Sequence, residues 1–142
     1  MTQNDPLHPL DVTFLLHGAE LLPGDPQVDD YGPLCAAVAR VNARAMERDI
    51  YGSVYLKSAA LLQTLARLPS LEHSNEAFAW HSTEAYLALN ECRLEYPPKE
   101  AVSLARDAAS GRLGVGLIGR QLRAWRASIR QACLVRKPQS PS

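Results

Sequence analysis

Apolar residues recur at helical spacing through most of this chain, and in one segment they recur on more than one side. Between about Asn75 and Asn90, Phe78, Ala85 and Leu89 form one apolar face while Trp80 and Leu87 form another. A helix that is apolar on more than one side has to be surrounded, so it belongs at the centre of a bundle. The flanking segments supply its neighbours. Asp11-Val12-Thr13 can cap a first helix through Phe14, Leu15 and Leu22, stopped at Pro23-Gly24. Asp30 opens a second, in which Leu34, Val38 and Val41 share a face and Ala36, Ala37, Ala39, Ala43 and Ala45 add helix propensity, until Glu47 to Gly52 break it. From Ser53 a third presents Val54, Leu61, Leu65 and Leu68, with Ala59 and Ala60 allowing close approach. Asn90 stops the fourth, and Arg93 to Tyr96 before Pro97-Pro98 reads as an extended link. A fifth covers Lys99 to Ala109, and the last carries Ile118, Leu122, Trp125 and Ile129 on one side. The pattern predicts an all-α, compact, single-domain bundle of about six helices with the fourth central. Residues 1–10 read as an N-terminal tail, 11–134 as the helical domain and 135–142 as a polar, proline-rich, disordered tail.

A length of 142 residues with 46% hydrophobic content suits one core. No apolar run approaches the ~20 residues of a membrane span, and the N-terminus has neither a basic nor an apolar leader, so the sequence reads as cytoplasmic. Cys35, Cys92 and Cys133 are widely spaced and odd in number, which disfavours a disulfide framework and leaves them as small packing residues. The net charge of zero hides an asymmetry. Residues 1–110 hold all 15 acids against 8 basic residues, a balance of −7, whereas residues 111–142 hold Arg112, Arg120, Arg123, Arg126, Arg130, Arg136 and Lys137 and no acid, a balance of +7. This is read as internal balance across a solvated helix face rather than as a nucleic-acid surface, because only Trp125 among the aromatics accompanies the basic residues, and packing accounts for it.

The loop before the fourth helix has the shape proteins use to hold an anion at a helix start. Its residues do not match that use, since Glu76 places a carboxylate in the first turn. Other chemistry there is thin. Glu72, His73, Glu76, His81 and Glu84 fall within 13 residues, but they make no metal motif, and the expectation is no metal. Ser74 has no evident triad and reads as a helix N-cap. His17 reads as a packed or surface histidine, and His8 as tail.

The order of elements resembles the Fic/Doc (Fido) family, in particular its Doc-like branch of death-on-curing toxins from toxin–antitoxin systems. The resemblance runs from Leu10 to Arg126. It is carried by Leu10-Asp11-Val12-Thr13 with His17, by Asp30-Tyr31-Gly32-Pro33-Leu34 before an alanine-rich helix, by Lys57-Ser58-Ala59-Ala60 through Ala66, by Tyr86-Leu87-Ala88-Leu89-Asn90, by Glu100-Ala101-Val102 through Leu113, and by Leu122-Arg123-Ala124-Trp125. It implies an all-α fold built round the fourth helix. It also implies a signature loop in which a histidine takes a proton from a target hydroxyl, an acid holds magnesium, and Gly-Asn plus basic residues cradle nucleotide phosphates.

Anchored on Asn75, that signature falls on Pro69 for the histidine, Leu71 for the phenylalanine, His73 for the acid, Ser74 for the glycine, and Glu76 and Ala77 for the cations; only Asn75 matches. Anchored on Glu72 as the acid, Leu68 takes the histidine position and Ser74 the asparagine position. Neither register contains the base. Proline and leucine accept no proton, and general-base help is worth ~10²–10⁴-fold. A like-charge contact at ~4 Å costs about 4 kcal/mol at a dielectric of 20, enough to weaken nucleotide binding roughly 10³-fold. The expectation is therefore a toxin-derived protein with a degenerate motif, a pseudoenzyme or interaction module without ATP or magnesium. Its partner would be a protein, an antitoxin or another copy of itself. The alternative is an active enzyme that transfers an adenylyl or phosphoryl group, uses ATP and magnesium, and has His73 as a substitute base.

Overall fold

A computed structural model describes residues 7–127. It contains α1 (Val12–Glu20), α2 (Gly32–Val41), a hairpin of β1 (Arg44–Ala45) and β2 (Arg48–Asp49), α3 (Val54–Arg67), α4 (Asn75–Leu89), α5 (Pro98–Ser110) and α6 (Val115–Ala124). Local chemistry sets most of the boundaries. The Asp11 carboxylate accepts from the Phe14 N–H and the Ser53 hydroxyl from the Leu56 N–H, so both side chains satisfy orphan donors at helix starts. At the end of α5, Gly111 adopts φ +83°, the left-handed conformation that glycine enters without steric cost.

The bundle closes around α3, which is buried along nearly its whole length and packs on α2, α4, α5 and α6. α4 packs on α1, α3 and α5. The composition of its enclosed face is different from the expectation. Phe78, Ala79, Trp80, Tyr86 and Leu87 are buried, but Ala85 and Leu89 lie on the outer side. The third helix shows the same kind of correction at Leu68, which sits past the helix end and is exposed.

Two further boundaries differ from the periodicity. The second helix ends at Val41, and Ala43 and Ala45 lead into the hairpin instead of extending it. The turn places Met46 and Glu47 at φ +51° and +66°, the paired left-handed geometry that matches strand twist but is normally filled by Asn-Gly. Residues 7–10, read as tail, are held in place: Leu10 is buried and exchanges hydrogen bonds with the Asn42 side chain, and the His8 N–H donates to Asn90 Oδ1. The last helix ends at Ala124. Trp125 packs edge-on to Trp80 and beside Tyr96, and Leu94 and Arg126 form an antiparallel bridge across the Arg93–Tyr96 link. Ile129, Arg130, Cys133, Arg136, Lys137 and the expected tail at 135–142 lie outside the described residues. No described helix is long and apolar enough to cross a membrane.

Candidate functional site at the start of the fourth helix

The chain between α3 and α4 is stitched to the loop between α1 and α2. Ser70 O accepts from the N–H groups of Asp29 and Asp30, Gln27 O accepts from the Glu72 N–H, and Val28 and Leu71 form an antiparallel bridge. The Glu72 carboxylate adds a side-chain rung by accepting the Gln27 N–H at 2.7 Å. Glu72 is therefore engaged with the neighbouring loop, not with His73.

Asn75 organises the turn from inside. Its Oδ1 accepts from the N–H groups of Ser70 and Leu71, each at 2.9 Å, and its Nδ2 donates to Leu71 O at 3.0 Å. The backbone donors it satisfies belong to buried residues, and a buried donor without an acceptor costs ~1–3 kcal/mol. The one residue matching the resembled signature thus has most of its hydrogen-bonding capacity committed to its own loop.

Ser74, expected as a side-chain cap, is corrected by the geometry. It occupies the N-cap position at φ 65°, a left-handed conformation, and makes no capping bond. Its Oγ lies 2.8 Å from His73 Nδ1, while the His73 ring leans against the Gly24 turn, close enough that a Cβ built on Gly24 would lie 3.2 Å from its Cε1. His73 is exposed and one ring nitrogen faces Ser74. Pro69 and Leu68 are exposed on the same loop, Leu71 is buried, and Glu76 and Ala77 are exposed in the first turn of α4. No hydrogen bond or ion pair reaches the Glu76 carboxylate among the described residues.

Beside that turn a groove of about 370 Å³ opens between α4 and α5, lined by Glu76, Ala77, Trp80, His81, Tyr96, Pro98, Ala101, Val102 and Ala105. A polar relay backs it. The Trp80 indole N–H donates to the Tyr96 hydroxyl, which donates to Glu84 Oε2 at 2.7 Å. Burial, and next the bond to Glu84, push the Tyr96 phenol pKa up. Glu84 is thereby engaged with Tyr96 rather than paired with His81, and no three His, Cys, Asp or Glu side chains gather in a metal-holding group among the described residues.

One structural anchor escaped the sequence reading. Lys57 is buried, its ammonium donating to Val41 O at 3.0 Å and lying 3.4 Å from Asp49 Oδ2, while Arg44 pairs with Asp49 Oδ1 at 2.7 Å. These contacts tie the hairpin to the end of α2. The available signal was positional: Lys57 stands three residues after Val54 and four before Leu61, on the stripe that faces inward.

No family model matches the chain. The curated protein "Toxin Doc" of Mycolicibacterium smegmatis (strain ATCC 700084 / mc(2)155) is 33% identical over 116 residues, a stretch that covers 80% of this chain and 89% of that protein.

Proposed function

Because the chain belongs to the Doc toxin family, we propose that it is a toxin-derived protein which acts by binding a protein partner, an antitoxin or a second copy, and does not transfer a nucleotide or phosphate group. The observation that carries this reading is the state of Asn75, whose carboxamide is tied to Ser70 and Leu71. Its neighbours point the same way. Pro69 offers no base where the family resemblance would put one, and Glu76 sets a carboxylate where the resemblance would put a cation. His73 as a substitute base is the reading we favour less, since the adjacent Glu72 carboxylate that could activate it accepts the Gln27 N–H instead.

Calorimetric titration of the full chain with ATP and magnesium tests the reading. No heat is expected at sub-millimolar ligand. Micromolar binding would overturn the reading and make His73 the first residue to substitute.

A further inference from the structure

Gly18 stands in the interior of α1, and no close approach requires it. Glycine in a helix interior is less favourable than alanine, yet a Cβ built at Gly18 would meet, beyond its own helix, a single atom within 4 Å. That atom is Ser82 Oγ at 3.8 Å, an ordinary van der Waals contact. Ser82 is itself unexplained by packing. It is 3% exposed on α4, and its Oγ has no hydrogen-bond partner among the described residues, whereas buried hydroxyls are normally satisfied.

The two residues meet beside an opening. A cavity of about 340 Å³ lies between the end of α1 and the outer side of α4, with Gly18, Leu21, Leu22 and Pro23 on one wall and Ala85 and Ala88 on the other. Ser82 stands one turn before Ala85, so its hydroxyl lies just behind the side-chain position that Gly18 leaves open. Leu21 is 86% exposed, and Ala85 and Ala88 are exposed as well. The walls are therefore carbon in contact with water, and one polar atom without a partner sits at their inner edge.

We propose that this cavity binds a small uncharged aliphatic amphiphile, its chain against Leu21, Leu22, Ala85 and Ala88 and its hydroxyl or amide head hydrogen-bonded to Ser82 Oγ past Gly18. Charge sets the head group. Glu84 lines the cavity, its Oε2 already accepting from the Tyr96 hydroxyl, and the segments that build the walls, residues 7–39 and 68–92, contain no lysine or arginine. An anionic head finds no cation there. A cationic head seated at Ser82 would exchange its hydration for one hydroxyl, which is costly for a buried charge. The site lies about two helical turns past Asn75 and is independent of whether the loop there binds ATP.

The test titrates the isotope-labelled full chain with butanol, hexanol and octanol and follows the backbone amide resonances. Saturable shifts are expected at Gly18, Ser82 and Ala85, with affinity rising about fourfold per buried methylene, roughly 15-fold from hexanol to octanol. Octanoate, with the same carbon count and an anionic head, should bind about tenfold more weakly than octanol. Gly18→Ala fills the space over the hydroxyl with the better helix former, so it should fold at least as well as the parent and bind octanol about tenfold more weakly. Ser82→Ala removes the hydrogen bond and should weaken octanol about fivefold.

Shifts that rise without saturation overturn the proposal, because they mark general partitioning onto exposed carbon. Equal affinity for octanoate, or undiminished octanol binding in Gly18→Ala, overturns it too.

Discussion

Replacing Asn75 with alanine should unfold the turn's hydrogen bonding without touching the core. The change removes the acceptor of two backbone donors, Ser70 N–H and Leu71 N–H, and the donor to Leu71 O. Ser70 is fully buried and Leu71 is 3% exposed, so their N–H groups have little access to replacement water. At roughly 1 kcal/mol for each of the three lost bonds, the total is about 3 kcal/mol. That is a large share of the ~5–15 kcal/mol that stabilises a domain, and it corresponds to a midpoint lowered by about 10 °C. Urea unfolding followed by far-ultraviolet circular dichroism measures it, with the denaturant slope unchanged if only the native state is affected. Asn75→Asp separates the contributions: it keeps an acceptor for both donors and places a negative charge at the helix start, but sets a second oxygen against Leu71 O in place of the donor, for a cost of about 1–2 kcal/mol. A loss within ~0.5 kcal/mol for Asn75→Ala would refute the anchoring role. The asparagine would then need a ligand to explain it.

Lys57→Met should keep the packed stem and lose the ammonium that joins Val41 O to Asp49. Stability should fall by about 1–2 kcal/mol, and amide exchange of Ile50, which donates to Ala43 O across the hairpin base, should accelerate; unchanged exchange would show that the hairpin holds itself. Tyr86 makes a pH prediction. Burial first, and then the Asp49 charge, push its pKa up to about 12 from an ordinary 10.0. Between those values the unfolded phenol has released its proton while the folded one retains it, so stability falls as pH rises through that window, by up to about 3 kcal/mol from this residue. Tyr86→Phe should flatten the alkaline loss in unfolding measurements from pH 10 to 12, with a residual slope from Tyr55 and Tyr96, whose pKa values burial also raises. An identical slope in wild type and variant would contradict it.

The helical architecture was legible because its signals are local. Asp11 caps the helix it is expected to cap, Ser53 stands where the third helix is expected to begin, Gly111 ends α5 in the left-handed conformation, and the Leu34–Val41 stripe faces inward. Errors arose where one residue of a stripe had to be assigned to a side without its neighbours. Leu89 and Ala85 share a helical face with Phe78, yet α1 covers only part of α4 and leaves them outside. The hairpin was invisible for a related reason. Ala43 and Ala45 carry helix propensity, which is worth tenths of a kcal/mol per residue, and the contacts opposing it join Arg44 and Lys57 to Asp49, with Lys57 standing on the next helix.

At the candidate site the division is sharper. The residue types alone set the expectation at this site, because the identities of Pro69 and Glu76 are chemical facts that no packing alters. The sequence alone likewise determined the helical class, since the periodicity of apolar residues is a property of neighbours in the chain. Only the tertiary structure decided what Asn75, Glu72 and Ser74 do. Each carries a polar side chain able to cap, bind a ligand or join two loops, and the choice depends on which partners the folded loops bring within 3 Å. The loop at residues 25–30 brings the Gln27 N–H to Glu72, and the turn folds its own Ser70 and Leu71 N–H groups onto Asn75. Ser74 is left in a left-handed conformation facing His73. Hydrogen bonds set by loop conformation, within the turn as at Asn75 or across to another loop as at Glu72, leave no periodic trace in the sequence, and the fold assigns them.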